Sequence, residues 1–160
     1  MKLPMKCILF AGIALCALPL QAQEARPRCF NVRGNLEEHL QTEGCKPPHK
    51  SCFRGVLKGD HGFHATTYFK ADSSVSGPET SPGSTAYSGA FEYTTDRGTV
   101  QARETGVNAP VDPTQLAVTA YQKITTGTGA YAGATGHFFV SGFVADTGVV
   151  TEVTGQVCLP

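Results

Sequence analysis

The chain has 160 residues, with 13 Lys and Arg balanced by 13 Asp and Glu, 18 Gly, 6 Cys and no Trp. That length suits one domain, and the absence of any basic stripe excludes the electrostatic footprint of nucleic-acid binding. Abundant glycine without a collagen period, mixed with Thr, Val, Ala and aromatics, points to many short strands joined by tight turns.

Lys2 and Lys6 form a basic start, an apolar run follows from Cys7 to Leu20, and a small residue, Ala22, lies just beyond it. This is the pattern of a secretory signal peptide. The run falls short of the roughly 20 apolar residues of a spanning helix. Leu15, before Cys16, is not the small residue a lipidation site uses. Residues 1–22 are therefore expected to be a signal peptide cleaved after Ala22, leaving a secreted or periplasmic protein that is not embedded in a membrane. Processing takes away Lys2 and Lys6 and no acid, so acids exceed bases by two in the mature chain.

Cys29, Cys45, Cys52 and Cys158 remain, and an even count in a small exported protein argues for disulfides. Four cysteines allow three pairings. The favoured one joins Cys45 to Cys52 around Pro47-Pro48 and ties Cys29 to Cys158 at the far end of the chain. A zinc site needs close ligand pairs, and Cys45-x6-Cys52 is not such a spacing.

Residues 23–49 read as a cysteine-containing N-terminal arm, with a helical turn over Asn35–Leu40 that ends at Gly44 and Pro47-Pro48. Residues 50–160 read as the β domain. Strands are expected over Cys52–Lys58 and Phe63–Lys70, the second with Phe63, Ala65, Thr67 and Phe69 on one face. A polar loop spans 72–84. Thr85–Thr94 puts Tyr87, Gly89, Phe91 and Tyr93 on one side, and Asp96-Arg97-Gly98 turns the chain into Thr99–Thr105. There Val100, Ala102 and Glu104 share a face opposite Gln101 and Arg103. After a second loop, 108–113, Leu116–Thr125 alternates Leu116, Val118, Ala120, Gln122 and Ile124 against Thr119, Tyr121 and Lys123. A glycine-rich connection over 127–136 leads to the last strands, His137–Ala145 and Val149–Cys158. Seven or eight such strands fit a sandwich or an up-and-down barrel.

The segment Ile124-Thr125-Thr126-Gly127-Thr128-Gly129-Ala130-Tyr131-Ala132-Gly133-Ala134-Thr135-Gly136, followed by two strands, resembles the allene oxide cyclase and dirigent β-barrel superfamily. The specific match covers residues 115–158; from Cys52 to Asn108 it rests on strand order, and the cysteine arm has no counterpart. The resemblance implies an all-β, eight-stranded antiparallel barrel with an apolar lumen in an exported bacterial member. It also implies homodimers or homotrimers, small lipid-like or phenolic ligands, and no cofactor or metal. Gly127, Gly129, Gly133 and Gly136 would permit positive φ and close backbone approach in a plug at one barrel end, with Tyr131 packed against it. No helix and no Lys-Ser/Thr follow the Gly-Thr-Gly, so it is a poor phosphate loop.

Candidate chemistry centres on carboxylates and tyrosines. Glu104 shares its face with Val100 and Ala102; pointing inward it would have a raised pKa and serve as a base, whereas an outward Glu would be a solvated rim residue, the commoner place for a charge. Tyr93 and Arg103 complete the candidate catalytic set. Tyr68, Tyr87, Phe91, Tyr121 and Phe139 are the candidate ligand-binding side chains, since an aromatic cavity wall offers an apolar face and, in Tyr, a hydroxyl. His61 and His64 lie three apart, which places them on opposite faces of a strand and argues against a metal pair. A Gly-x-Ser-x-Gly nucleophile elbow is absent. Three functions remain open: a binder of a small hydrophobic ligand, a cofactor-independent cyclase or isomerase, and a protein-interaction or inhibitor module working through the 72–84 loop and the arm.

Overall fold

The structure is a computed structural model that describes residues 27–146 and 148–160. The signal peptide and its cleavage after Ala22 lie outside the described residues. Eight strands run in chain order: β1 (Arg28–Leu40), β2 (Ser51–Gly59), β3 (His64–Ser76), β4 (Thr85–Thr95), β5 (Gly98–Asp112), β6 (Gln115–Gly127), β7 (Thr135–Ala145) and β8 (Gly148–Leu159). Each pairs antiparallel with its sequence neighbours, and β1 pairs with β8, closing an up-and-down barrel. Closure leaves no open sheet edge.

The first strand corrects the sequence reading. Asn35–Leu40 is not a helical turn but the second half of β1. Phe30, Val32, Gly34, Leu36 and Glu38 alternate inward, a period of two that only a strand can satisfy. The barrel therefore begins at Arg28, within the segment read as an arm. What remains outside the ring is the β1–β2 connection, stapled by Cys45–Cys52. The second disulfide, Cys29–Cys158, joins directly opposed residues of β1 and β8. The two disulfides are compatible with an oxidising extracellular or periplasmic setting.

The expected loops contract, because β3 runs on to Ser76 and β5 to Asp112. A bulge between Ala71 and Ser73 shifts the β3–β4 register. An extra residue of this kind resets the in–out alternation, and it lets Ser74 join Ala71 on the inner wall.

The two barrel ends differ. At the end carrying both chain ends of the ring, Phe63 packs against Phe30, Tyr93, Tyr131 and Phe138, with ring centroids 5.8–6.5 Å apart. The 127–136 connection closes this end. Its Tyr131 is buried within a 3₁₀ turn, Gly129–Tyr131. Gly129, Gly133 and Gly136 adopt positive φ; a Cβ on Gly127 would meet the Tyr131 carbonyl oxygen at 2.2 Å. The opposite end, where the β1–β2, β3–β4, β5–β6 and β7–β8 connections gather, stays open. No helix among the described residues is long and apolar enough to cross a membrane.

Candidate functional site

The open half of the lumen holds a cavity of about 270 Å³. Phe53, Phe69, Ala71, Tyr87, Val118 and Val149 supply much of its apolar lining; Glu38 and Glu104 are its acids. Alternation from β1 brings Glu38 inward, and alternation from β5 does the same for Glu104. Both are almost fully buried, at 7% and 5% exposure.

A chain of hydrogen bonds runs down from Glu104 into the closed half. Tyr93 donates its hydroxyl to Gln122 Oε1 at 2.5 Å, and Gln122 Nε2 donates to Glu104 Oε2 at 2.5 Å. A phenol needs an acceptor when buried. Tyr93 thereby turns the Gln122 amide so that its NH₂ faces the carboxyl. Glu38 has a lighter hold: Thr67 Oγ1 donates to Glu38 Oε1 at 3.1 Å.

Burial sets the protonation of these groups. It pushes the Glu38 carboxyl up to about 8, the negative charge of Glu104 adding to the effect and the Thr67 hydrogen bond opposing it. Glu104 is raised as well, chiefly by burial, against hydrogen bonds from Gln122 and Tyr87. The Tyr87 and Tyr93 hydroxyls stand far above the usual phenol range, from burial first and the Glu104 charge second, so both remain protonated. At neutral pH Glu38 keeps its proton. The pair thus offers a buried acid beside a carboxyl anchored by an amide.

The candidate residues divide by strand face. Glu104, Tyr93, Tyr87 and Phe91 point into the barrel, Glu104 and Tyr87 at the cavity and Tyr93 and Phe91 beneath it in the packed core. Arg103 does not. It lies on the outer wall, paired with Asp72 and donating to Ser88 Oγ at 2.7 Å, apart from Glu104 and Tyr93. Tyr68 is also outside, its ring beneath Arg54 and Lys70 at 4.3 and 4.5 Å. Tyr121 and Phe139 stack on the exterior with His137, and Phe139 is 53% exposed. None of these three lines the cavity. Each immediately adjoins an inward residue, Thr67, Gln122 and Phe138 respectively, and strand parity sends it the other way. His61 occupies an exposed turn with φ +50°, and among the described residues no three His, Cys, Asp or Glu side chains cluster as a metal would need.

Glu38 and Gln122 are the site residues that sequence reasoning did not single out. Gln122 sat on the apolar face of its strand, a signal in itself for a buried polar role. Glu38 was hidden by the helical reading of its segment; the period of two from Phe30 to Glu38 would have exposed it.

No family model, curated protein or solved structure matches the chain.

Proposed function

We propose that the protein is an exported barrel that binds a small, largely hydrophobic ligand in the open half of its lumen. The observation that carries this reading is the cavity: about 270 Å³, walled by aromatic and aliphatic side chains, with two buried carboxyls converging on it. A concave apolar site with a few oriented polar groups is the usual form of a small-molecule site, and this volume lies at the small end of the roughly 300–1,000 Å³ such sites occupy. The glycine-rich plug resembling the allene oxide cyclase and dirigent barrels supports the same class of function, as does the basic, apolar start of the chain for export.

A second reading, a cofactor-independent cyclase or isomerase, is favoured by one observation. Glu38 is a buried acid whose proton affinity is raised toward neutrality, the condition for moving a proton to or from a confined substrate. Glu104, held by Gln122 and Tyr93, would be its partner; Arg103 has no part in it.

Native mass spectrometry of the protein purified without organic solvent tests the binding reading. A bound mass that disappears on extraction, and is missing from an Ala71→Phe variant that fills the cavity, is the expected result. No bound mass, together with no thermal stabilisation by any member of a panel of lipids, phenols and amines, would remove it.

A further inference from the structure

We propose that the ligand is a hydrophobic cation: an amine on a small apolar body, with its ammonium group seated between Glu38 and Glu104. This rests on the binding reading above and names the polar group of the ligand.

The charged groups facing the cavity come from three places. β1 contributes Glu38, β5 contributes Glu104, and the β1–β2 connection contributes Lys50. Lys50 is exposed at the mouth and forms no ion pair with either glutamate. Below it, β4 adds the neutral phenols of Tyr87 and Tyr93, and β6 the amide of Gln122. Among the described residues no basic side chain is buried with the two acids.

Hydrogen bonding points the same way. The Tyr93 hydroxyl is committed to Gln122, the Gln122 amide and the Tyr87 hydroxyl to Glu104, and the Thr67 hydroxyl to Glu38 Oε1. Glu38 itself is more than nine-tenths buried, and its hydrogen bond is the one from Thr67. Asn108, also on the cavity wall, has an Oδ1 without a partner. The cavity wall therefore carries two carboxyls and an unpaired amide oxygen, and no basic side chain among the described residues is buried beside them. An ammonium group is acceptor-free and brings its own donors and a positive charge. A ligand carboxylate would add a third anion to a site that already holds back one ionisation.

The positions fit as well. In a closed ring of eight strands, β1 and β5 are four strands apart in either direction, so the two carboxyls reach in from opposite walls. A cation between them is approached from both sides, in surroundings where charge-assisted bonds are strong. Its arrival favours ionisation of Glu38, whose proton passes to the buffer.

Isothermal titration at pH 7 with octylammonium, 1-octanol and octanoate, in two buffers of different ionisation enthalpy, tests the proposal. Octylammonium is expected to bind one to one and about tenfold or more tightly than octanol, releasing protons, with octanoate weakest. In the Glu38→Gln/Glu104→Gln double variant the ratio of octylammonium to octanol affinity is expected to fall to about one. Octanol binding the unaltered protein as tightly as octylammonium overturns the cation assignment and leaves the hydrophobic-ligand reading in place. So does an amine preference that survives the double variant. Absence of binding by all three probes overturns both.

Discussion

Glu38 of β1 and Glu104 of β5 face one another across the barrel lumen, and the charge of one raises the proton affinity of the other. Two like groups brought out of water cannot both ionise cheaply, so the fold holds a proton that the unfolded chain gives up.

The sign of the resulting pH dependence follows. Glu38 has a folded pKa of about 8 against 4.5 in the open chain. Between those values the folded state binds more protons than the unfolded one, and stability falls as pH rises. The contribution is whole below pH 4.5 and gone above pH 8, on the order of 5 kcal/mol across the window. Glu104, shifted in the same direction, steepens the decline. Urea denaturation at a series of pH values should show the loss, and Glu38→Gln should flatten it, leaving the variant more stable than the unaltered protein at pH 9. Parallel curves for the two proteins would refute the account.

Tyr93→Phe removes one hydroxyl and leaves Gln122 Oε1 buried without its donor. The expected cost is about 1–3 kcal/mol, seen as a lower denaturation midpoint with an unchanged slope. The Gln122 amide also becomes free to turn away from Glu104, so binding of any lumen ligand should weaken in the same variant.

The two disulfides close loops of very different length, with separations of 129 residues for Cys29–Cys158 and 7 for Cys45–Cys52. Loop-closure entropy assigns about 5 kcal/mol to the first and about 2.5 kcal/mol to the second. Replacing each pair with serines should therefore destabilise unequally, the Cys29–Cys158 variant about twice as much. Chemical denaturation of both variants measures the ratio. An equal loss would mean that the β1–β8 junction keeps the ring closed in the unfolded reference without its sulfur bridge.

At the plugged end, Gly129 and Gly133 both have positive φ, yet their surroundings differ. A Cβ on Gly129 would sit 2.3 Å from the Arg97 carbonyl oxygen, whereas one on Gly133 would come no nearer than 3.3 Å, to the Pro160 ring. Gly133→Ala carries mainly the conformational penalty, about 1 kcal/mol. Gly129→Ala adds a backbone clash and should exceed 2 kcal/mol, roughly the range of overpacked sites. Thermal melts of the two variants would separate the contributions.

Arg103→Ala should leave ligand binding unchanged and cost less than about 1 kcal/mol, as for other exposed ion pairs. Tyr121→Ser and Phe139→Ser should likewise spare binding, because their side chains lie outside the wall. Loss of binding in any of these three, measured by the same titration, would place the ligand on the exterior.

Much of the barrel was legible in the chain because a strand's alternation is local. Val100, Ala102 and Glu104 on one face, and Tyr87, Gly89, Phe91 and Tyr93 on the next, follow from spacing alone, and the structure turns both sets inward. The same rule, carried through, would have sent Arg103, Tyr68, Tyr121 and Phe139 outward; an aromatic or basic side chain draws attention by its chemistry even when its parity excludes it. Asn35–Leu40 is different. Asn, Leu, Glu and His in so short a run suit a capped helical turn, and only the alternation carried down from Phe30 through Val32 and Leu36 to Glu38 speaks against it.

By itself the sequence determined the all-β class, the alternation within Ala65–Phe69, Tyr87–Tyr93, Val100–Glu104 and Leu116–Ile124, and the plug glycines. The four cysteines left three pairings open, and the structure decides for Cys29–Cys158 and Cys45–Cys52. Tertiary structure decided that Arg28–Leu40 is a strand, since its hydrogen-bond partners include β8, more than a hundred residues away. Ring closure then set Glu38 opposite Glu104. Strand pairing satisfies backbone groups that one segment cannot satisfy alone, so the identity of β1, and with it the second carboxyl of the site, exists only once the barrel has closed.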